Sequence, residues 1–164
     1  MPTMAKVSVE AIKALRDKTG APLGDVRSAL EAAGGDEAKA HELLKKKGFE
    51  AALKRKDRAA GMGRIESYIH HDGRIGVLVE VNCETDFVAR LPEFQQFCRE
   101  VGMQVASQQP ETVQALLDQP FIKDASQTMA QLLTALIAKT GENVVIRRFA
   151  RFGLGEDQGS AHNA

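Results

Sequence analysis

Ile75, Val77, Val79 and Val81 alternate strictly with Gly76, Leu78, Glu80 and Asn82. Successive side chains on a strand point to opposite faces, so this run predicts a strand with one firmly buried face. A chain holding such a strand must supply a layer to cover it. Asp72-Gly73, just upstream, is a two-residue hairpin signal, and Ile65 to His70 before it is β-prone.

Upstream of that point the period is helical. Ser8 caps a first expected helix, with Val9, Ile12 and Leu15 or Arg16 at three-residue steps, and Thr19-Gly20-Ala21-Pro22 breaks it. Val26, Ala29, Leu30 and Ala33 mark a second, stopped at Gly34-Gly35. Asp36 caps a third that carries Ala40, Leu43, Leu44 and Lys47 and is expected to end at Gly48. Phe49 to about Ala60 is a further helical stretch among lysines and arginines, closed by Gly61-Met62-Gly63.

Beyond the alternating strand, Pro92 to about Ser107 reads as a helix with Phe94, Phe97, Cys98, Val101 and Val105 on one side. A short helix at Val113, Leu116 and Leu117 follows. Then comes one capped by Ser126 with Met129, Leu132, Leu133, Leu136 and Ile137 as a wide apolar stripe. Val144 to Phe149 is a third strand. The expected fold class is α+β: a three-helix N-terminal module, then a small three-stranded antiparallel sheet covered by helices. The expected boundaries are 1–48 for the module, 49–63 for a basic helical linker, 64–152 for the core and 153–164 for a disordered polar tail.

Charge is unevenly placed in a chain of 164 residues whose 22 basic and 22 acidic residues cancel. Eight basic residues between Lys45 and Arg64 face only Glu50 and Asp57, a local excess of +6. Overall neutrality argues against a nucleic-acid sleeve or a membrane-surface protein, and 5% aromatics with no Trp disfavours a base-stacking platform. No apolar run approaches a membrane span, and the N-terminal stretch lacks a signal-peptide core, so a cytoplasmic protein is expected.

Few residues suggest chemistry. Cys83 and Cys98 show no CxxC spacing and no adjacent His, and read as reduced core thiols. His70 and His71 are neighbours on a strand and point apart, a poor chelate. No GxxxxGK[ST] loop is present. No catalytic residue, no cofactor and no metal site are expected. The unusual segment is Asn82-Cys83-Glu84-Thr85-Asp86-Phe87-Val88-Ala89-Arg90, between a strand and a helix. Thr85 or Asp86 can cap a short turn with Phe87 at its start. Phe87 either projects as an apolar anchor for a partner, with Asp86 fixing the loop, or docks on the local core. The basic run Lys54-Arg55-Lys56 is either a contact for phosphates or an acidic surface, or a solvated face.

Three ordered blocks resemble the bacterial elongation factor Ts family. They are Leu15-Arg-Asp-Lys-Thr19-Gly20-Ala21 running on to Asp25 and Ala29-Leu30; Val79-Glu80-Val81-Asn82-Cys83-Glu84-Thr85-Asp86-Phe87-Val88-Ala89; and Ile137-Ala138-Lys139-Thr140-Gly141-Glu142-Asn143-Val144 ending in Arg147-Arg148. The resemblance implies a ubiquitin-associated-like N-terminal module, a linker and one core subdomain. It implies a guanine-nucleotide exchange factor that promotes GDP release from elongation factor Tu and is not an enzyme. Carried over residue by residue, Phe87 would insert into the GTP-binding domain and disturb its Mg²⁺ and phosphate site, with Asp86 beside it. Thr140 and Gly141, Arg55, and Leu23, Gly24 and Arg27 would be further partner contacts. The family commonly has Gly-Met-Met where this chain has Pro22-Leu23-Gly24, which keeps one apolar residue. Longer family members carry a second core subdomain, so a homodimer is expected to replace the missing half, through the core sheet or helices. The stripe from Met129 to Ile137 motivates that expectation. A second reading is a helical adaptor that binds RNA or the ribosome through the basic segment. The resemblance favours a protein partner, with no membrane and no direct nucleic-acid role.

Overall fold

The computed structural model describes residues 7–157. Three helices come first. Helix α1 (Val9–Thr19) begins where the Ser8 hydroxyl accepts the Ala11 N–H at 3.1 Å and stops at Gly20. Helix α2 (Leu23–Ala32) starts directly after Pro22. Helix α3 (Glu37–Arg55) is capped by the Asp36 carboxylate, which accepts the Lys39 N–H at 3.0 Å; that bond holds the Asp36 carboxyl below its ordinary pKa. Leu15, Val26, Ala29, Leu30, Ala40 and Leu44 form the core of this bundle, whereas Val9, expected on the apolar stripe, is exposed.

Helix α3 does not end at Gly48, as the sequence suggests, but runs unbroken to Arg55. A glycine inside a helix costs about 1 kcal/mol relative to alanine. Here a Cβ built on Gly48 would stand 3.5 Å from the Cβ of Ala138, so this small residue lies in close packing. The expected basic helical linker is therefore helical only to Arg55, as a continuation of α3 with Ala52 packed on the larger core; Lys56 and Arg58 lie beyond the helix, and Met62, Gly63 and Arg64 already belong to strand β1.

Strands β1 (Met62–Ile69) and β2 (Ile75–Cys83) form an antiparallel hairpin. The predicted turn at Asp72-Gly73 is the middle of a four-residue loop, closed by the His70 N–H donating to the Ile75 carbonyl at 2.9 Å. Then follow α4 (Asp86–Ala89), α5 (Pro92–Gln108), α6 (Val113–Asp118), the two-stranded hairpin β3 (Pro120–Phe121) with β4 (Asp124–Thr128), α7 (Met129–Thr140) and β5 (Val145–Gly153). The sheet order is β1-β2-β5, antiparallel throughout.

Two expectations change at α7. Ser126 lies in β4 and the cap is Thr128, which makes a reciprocal capping box with Gln131. Met129, Leu136 and Ile137, expected to seek a second chain, are buried in this chain's own core. The polar tail is ordered at its start. Gly153 belongs to β5, the Leu154 N–H donates to the Arg74 carbonyl at 2.8 Å, and Glu156 pairs with Arg151 at 2.8 Å. The rest of the tail, 158–164, lies outside the described residues.

The sheet is covered on one side. Val77, Val79, Val81 and Cys83 face Phe94, Phe97, Cys98 and Val101 of α5 within one large core. On the opposite face Ile69, Gly76 and Phe152 stand in one cross-strand row, with Leu78 in a neighbouring row and Ile65 further along β1. Ile65, Ile69, Leu78 and Phe152 are all exposed.

Gly63, at the start of β1, has φ 141°, and a Cβ built there would lie 2.1 Å from the Val81 carbonyl oxygen. No side chain fits without parting β1 from β2. Gly63→Ala is expected to lower stability by about 2–3 kcal/mol, read as a reduced urea midpoint with an unchanged slope.

Candidate functional site

Strand β2 delivers its last buried residue, Cys83, to a short connection that turns straight into α4. Thr85 is the N-cap, and its Oγ1 accepts the Val88 N–H at 3.3 Å. Val88 and Ala89 dock on the core. Phe87, on the opposite side of this single turn, is 72% exposed. Phe87 thus projects and does not dock on the local core, while the loop before it is held by Glu142 and not by Asp86 as expected. Asp86 lies beside Phe87 and pairs with Arg90 at 2.8 Å, one helical turn on.

The connection is braced by a segment far away in sequence. Helix α7 ends at Gly141, a left-handed C-cap with φ 73°, and the chain turns into Glu142 and Asn143 before β5. Glu142 Oε1 accepts the backbone N–H groups of Glu84 (3.1 Å) and Thr85 (3.0 Å), and its Oε2 accepts the Thr85 hydroxyl at 2.8 Å. Glu84 answers by accepting the Asn143 N–H at 2.7 Å. The Asn143 side chain, only 4% exposed, donates to the carbonyls of Lys56 (3.3 Å) and Arg58 (2.8 Å) just past α3. Arg58 lies 3.6 Å from Glu84. Three distant stretches thus meet at one polar junction beside Phe87.

Thr140 and Gly141 belong to this junction. The Thr140 hydroxyl donates to the Leu136 carbonyl at 2.9 Å and accepts the Glu142 N–H at 3.4 Å. Leu23, Gly24 and Arg27 lie on α2, all exposed, with Leu23 55% accessible and Arg27 paired to Glu31. The turn before α2 abuts the end of α7: a Cβ on Gly20 would stand 3.1 Å from Lys139 Cδ, while Lys139 Nζ pairs with Glu93 at 3.2 Å. Arg55 closes α3, with Nη1 buried and without a partner among the described residues. Sequence reasoning missed Glu84, Glu142 and Asn143 as functional residues. Glu142 and Asn143 show in the sequence only as polar residues at a helix stop and Glu84 only as a polar residue at a strand end, and neither signal names a partner 58 or 59 residues away.

The basic segment is partly neutralised. Lys45 pairs with Glu42, Lys47 with Asp25, Arg58 with Glu84 and Arg64 with Glu66. His70 and His71, expected to point apart on a strand, instead follow the end of β1, where the backbone leaves the strand and their rings come together with centroids 4.3 Å apart and planes tilted by 55°; Tyr68 hydrogen-bonds His70 at 3.0 Å. Among the described residues no group of three His, Cys, Asp or Glu is placed to hold a metal ion. No described helix is long and apolar enough to cross a membrane.

The sequence model of a family described as Elongation factor TS matches residues 84–163, which include Phe87 and the Glu142 turn. An elongation factor Ts from Anaeromyxobacter sp. (strain Fw109-5) is 42% identical over 198 aligned positions, covering 93% of this chain and 90% of that protein. One from Rubrobacter xylanophilus is 41% identical over 191 positions, covering 89% and 98%. One from Carboxydothermus hydrogenoformans is 42% identical over 195 positions, covering 92% and 90%. These alignments are longer than this chain of 164 residues, so the relatives carry segments without a counterpart here. The matches place the chain among translation elongation factors, proteins of the protein-synthesis machinery. Within that class it belongs to the elongation factor Ts family, whose role is nucleotide exchange on elongation factor Tu.

Both thiols are buried, and Cys83 donates to the Thr85 carbonyl at 3.0 Å. Burial pushes the Cys98 thiol from its ordinary 9.0 up to about 12. A raised folded-state pKa means the unfolded chain ionises first. The stabilising contribution is full below pH 9 and is lost as pH climbs from 9 toward 12. Cys98→Ala is expected to flatten the decline of stability across that window by up to about 1.4 kcal/mol per pH unit, measured by urea unfolding at each pH.

Proposed function

We propose that this chain promotes GDP release from elongation factor Tu and that Phe87 carries the effect. The supporting observation is Phe87 itself: a large apolar side chain, 72% exposed, held on a single capped helical turn. An exposed Phe on a braced loop is suited to fill a pocket in a partner. Its insertion into the GTP-binding domain would disturb the groups that hold Mg²⁺ and the GDP phosphates. The factor need not touch GDP. It need only bind better to a GTPase whose phosphate site is distorted, and each ligand then weakens the other through one coupling free energy. No bond is made or broken in this account, and no cofactor is required.

The remaining contacts follow from position. Asp86 lies beside Phe87. Thr140 and Gly141 lie on the braced turn, and Arg55 closes α3. Leu23, Gly24 and Arg27 offer an exposed helix start. Two separate apolar clusters support a division into a ubiquitin-associated-like three-helix module over 1–48, a linker and a core over 64–152. The reading as an RNA or ribosome adaptor has less support, because four of the eight basic residues are already ion-paired. The cytoplasm is the place where such a factor would work.

A homodimer belongs to the same proposal, with a different motive from the α7 stripe. The uncovered sheet face, with Ile65, Ile69, Leu78 and Phe152 exposed, would be closed by a second copy.

The unaltered chain is expected to speed loss of fluorescent GDP from elongation factor Tu, and Phe87→Ala to reduce that acceleration at least tenfold, or about 1.4 kcal/mol. An unchanged release rate with the unaltered chain would sink the exchange reading. Sedimentation equilibrium is expected to show a dimer at micromolar concentration that Leu78→Glu converts to monomer. A monomer at that concentration in the unaltered chain refutes the dimer.

A further inference from the structure

We propose that Glu142 is a positioning residue for Phe87, fixing the aromatic ring in its projecting geometry before any partner arrives. The proposal rests on the exchange reading above and adds a residue that acts through Phe87. Helix α4 has four residues, too few to hold its direction by helix propensity. Its buried side, Val88 and Ala89, anchors one end. The other end is the stretch from Glu84 to Thr85, and there one carboxylate takes three donors: both backbone N–H groups and the Thr85 hydroxyl, at 2.8–3.1 Å. Hydrogen bonds to an ionised acceptor are about twice as strong as neutral ones.

The Thr85 hydroxyl couples this grip to Phe87. As donor it is held by Glu142 Oε2, and as acceptor it caps α4 through the Val88 N–H. The orientation of the cap is therefore set by Glu142. Glu142 is in turn fixed from behind: its own N–H lies on Thr140 Oγ1, and Gly141 supplies the left-handed turn. Asn143 ties the same turn to the exit of α3. Without the carboxylate, the residues before Phe87 gain conformational freedom that binding must then remove, and preorganisation is lost.

The test is a double-mutant cycle on GDP release from elongation factor Tu, run with the full chain at sub-saturating concentration. It compares the unaltered protein, Glu142→Ala, Phe87→Ala and the double variant. Glu142→Ala is expected to slow release about tenfold when Phe87 is present and less than twofold when it is not. Glu142→Gln, which keeps an oxygen for the two N–H groups but offers the Thr85 hydroxyl an amide nitrogen that cannot accept its proton, is expected to restore only part of the rate. In the free protein, amide exchange at Glu84 and Thr85 is expected to accelerate in Glu142→Ala while the β2 amides stay protected. Equal slowing in both backgrounds, or unchanged amide protection, would overturn the positioning role and leave the exchange reading intact. No acceleration by the unaltered chain would overturn the exchange reading and this proposal with it, whereas acceleration undiminished in Phe87→Ala would overturn the role of Phe87 and this proposal while exchange itself stands. Should Glu142→Ala fail to fold, Glu142→Asp, whose carboxylate is withdrawn by one methylene, takes its place in the same cycle.

Discussion

Strand β2 has partners on both edges and water on one face, and most of the molecule is arranged around that condition. Its inner row, Val77, Val79, Val81 and Cys83, demands an apolar layer, which α5 supplies. Its edges pair with β1 and β5, so the first and last parts of the core are both registered against it. Its C-terminal end then delivers the chain directly to α4. The projection of Phe87 is thus a consequence of where the central strand runs out. The buried period of two and the exposed aromatic are consecutive statements of one constraint.

Hydrophobic burial places that exit, but polar contacts define its shape. The junction of Glu84, Glu142 and Asn143 joins segments 57 to 59 residues apart without a hydrophobic side chain in the contact. A nearly fully buried Asn would be a liability if any of its donors were idle. Here its backbone N–H and its amide side chain both find acceptors. The result is a specific local geometry at a place where an apolar core would tolerate several. Burial raises the pKa of the Cys83 thiol, and the nearby negative charge of Glu142 adds to it.

Much of this was legible from residue patterns, and the failures have physical reasons. Caps and periodicity located α1, α2, α5, α6 and the central strand because each signal is local. Helix α3 ran past Gly48 because tertiary packing against Ala138 outweighed a weak intrinsic penalty. The β3–β4 hairpin was missed because Asp124-Ala-Ser-Gln-Thr128 has no apolar alternation to detect. The cap of α7 was misplaced although Thr128 and Gln131 carry the capping-box spacing. Phe87 drew attention in the sequence, but its projection could not be decided there, since a Phe in a loop is as readily buried. Glu142 was invisible as a functional residue because its partners are distant in the chain.

The unbroken course of α3 has a mechanical corollary. One rigid rod begins in the N-terminal bundle, crosses α7 at Gly48 and ends where Asn143 grips the residues just after it. Each residue added to or removed from such a rod shifts its far end by about 1.5 Å and turns it by about 100°. The separation between the exposed start of α2 and the Phe87 turn is therefore quantised by helix length. A one-residue insertion in α3 would thus move the Phe87 turn only slightly along the rod while swinging it more than a quarter of the way around.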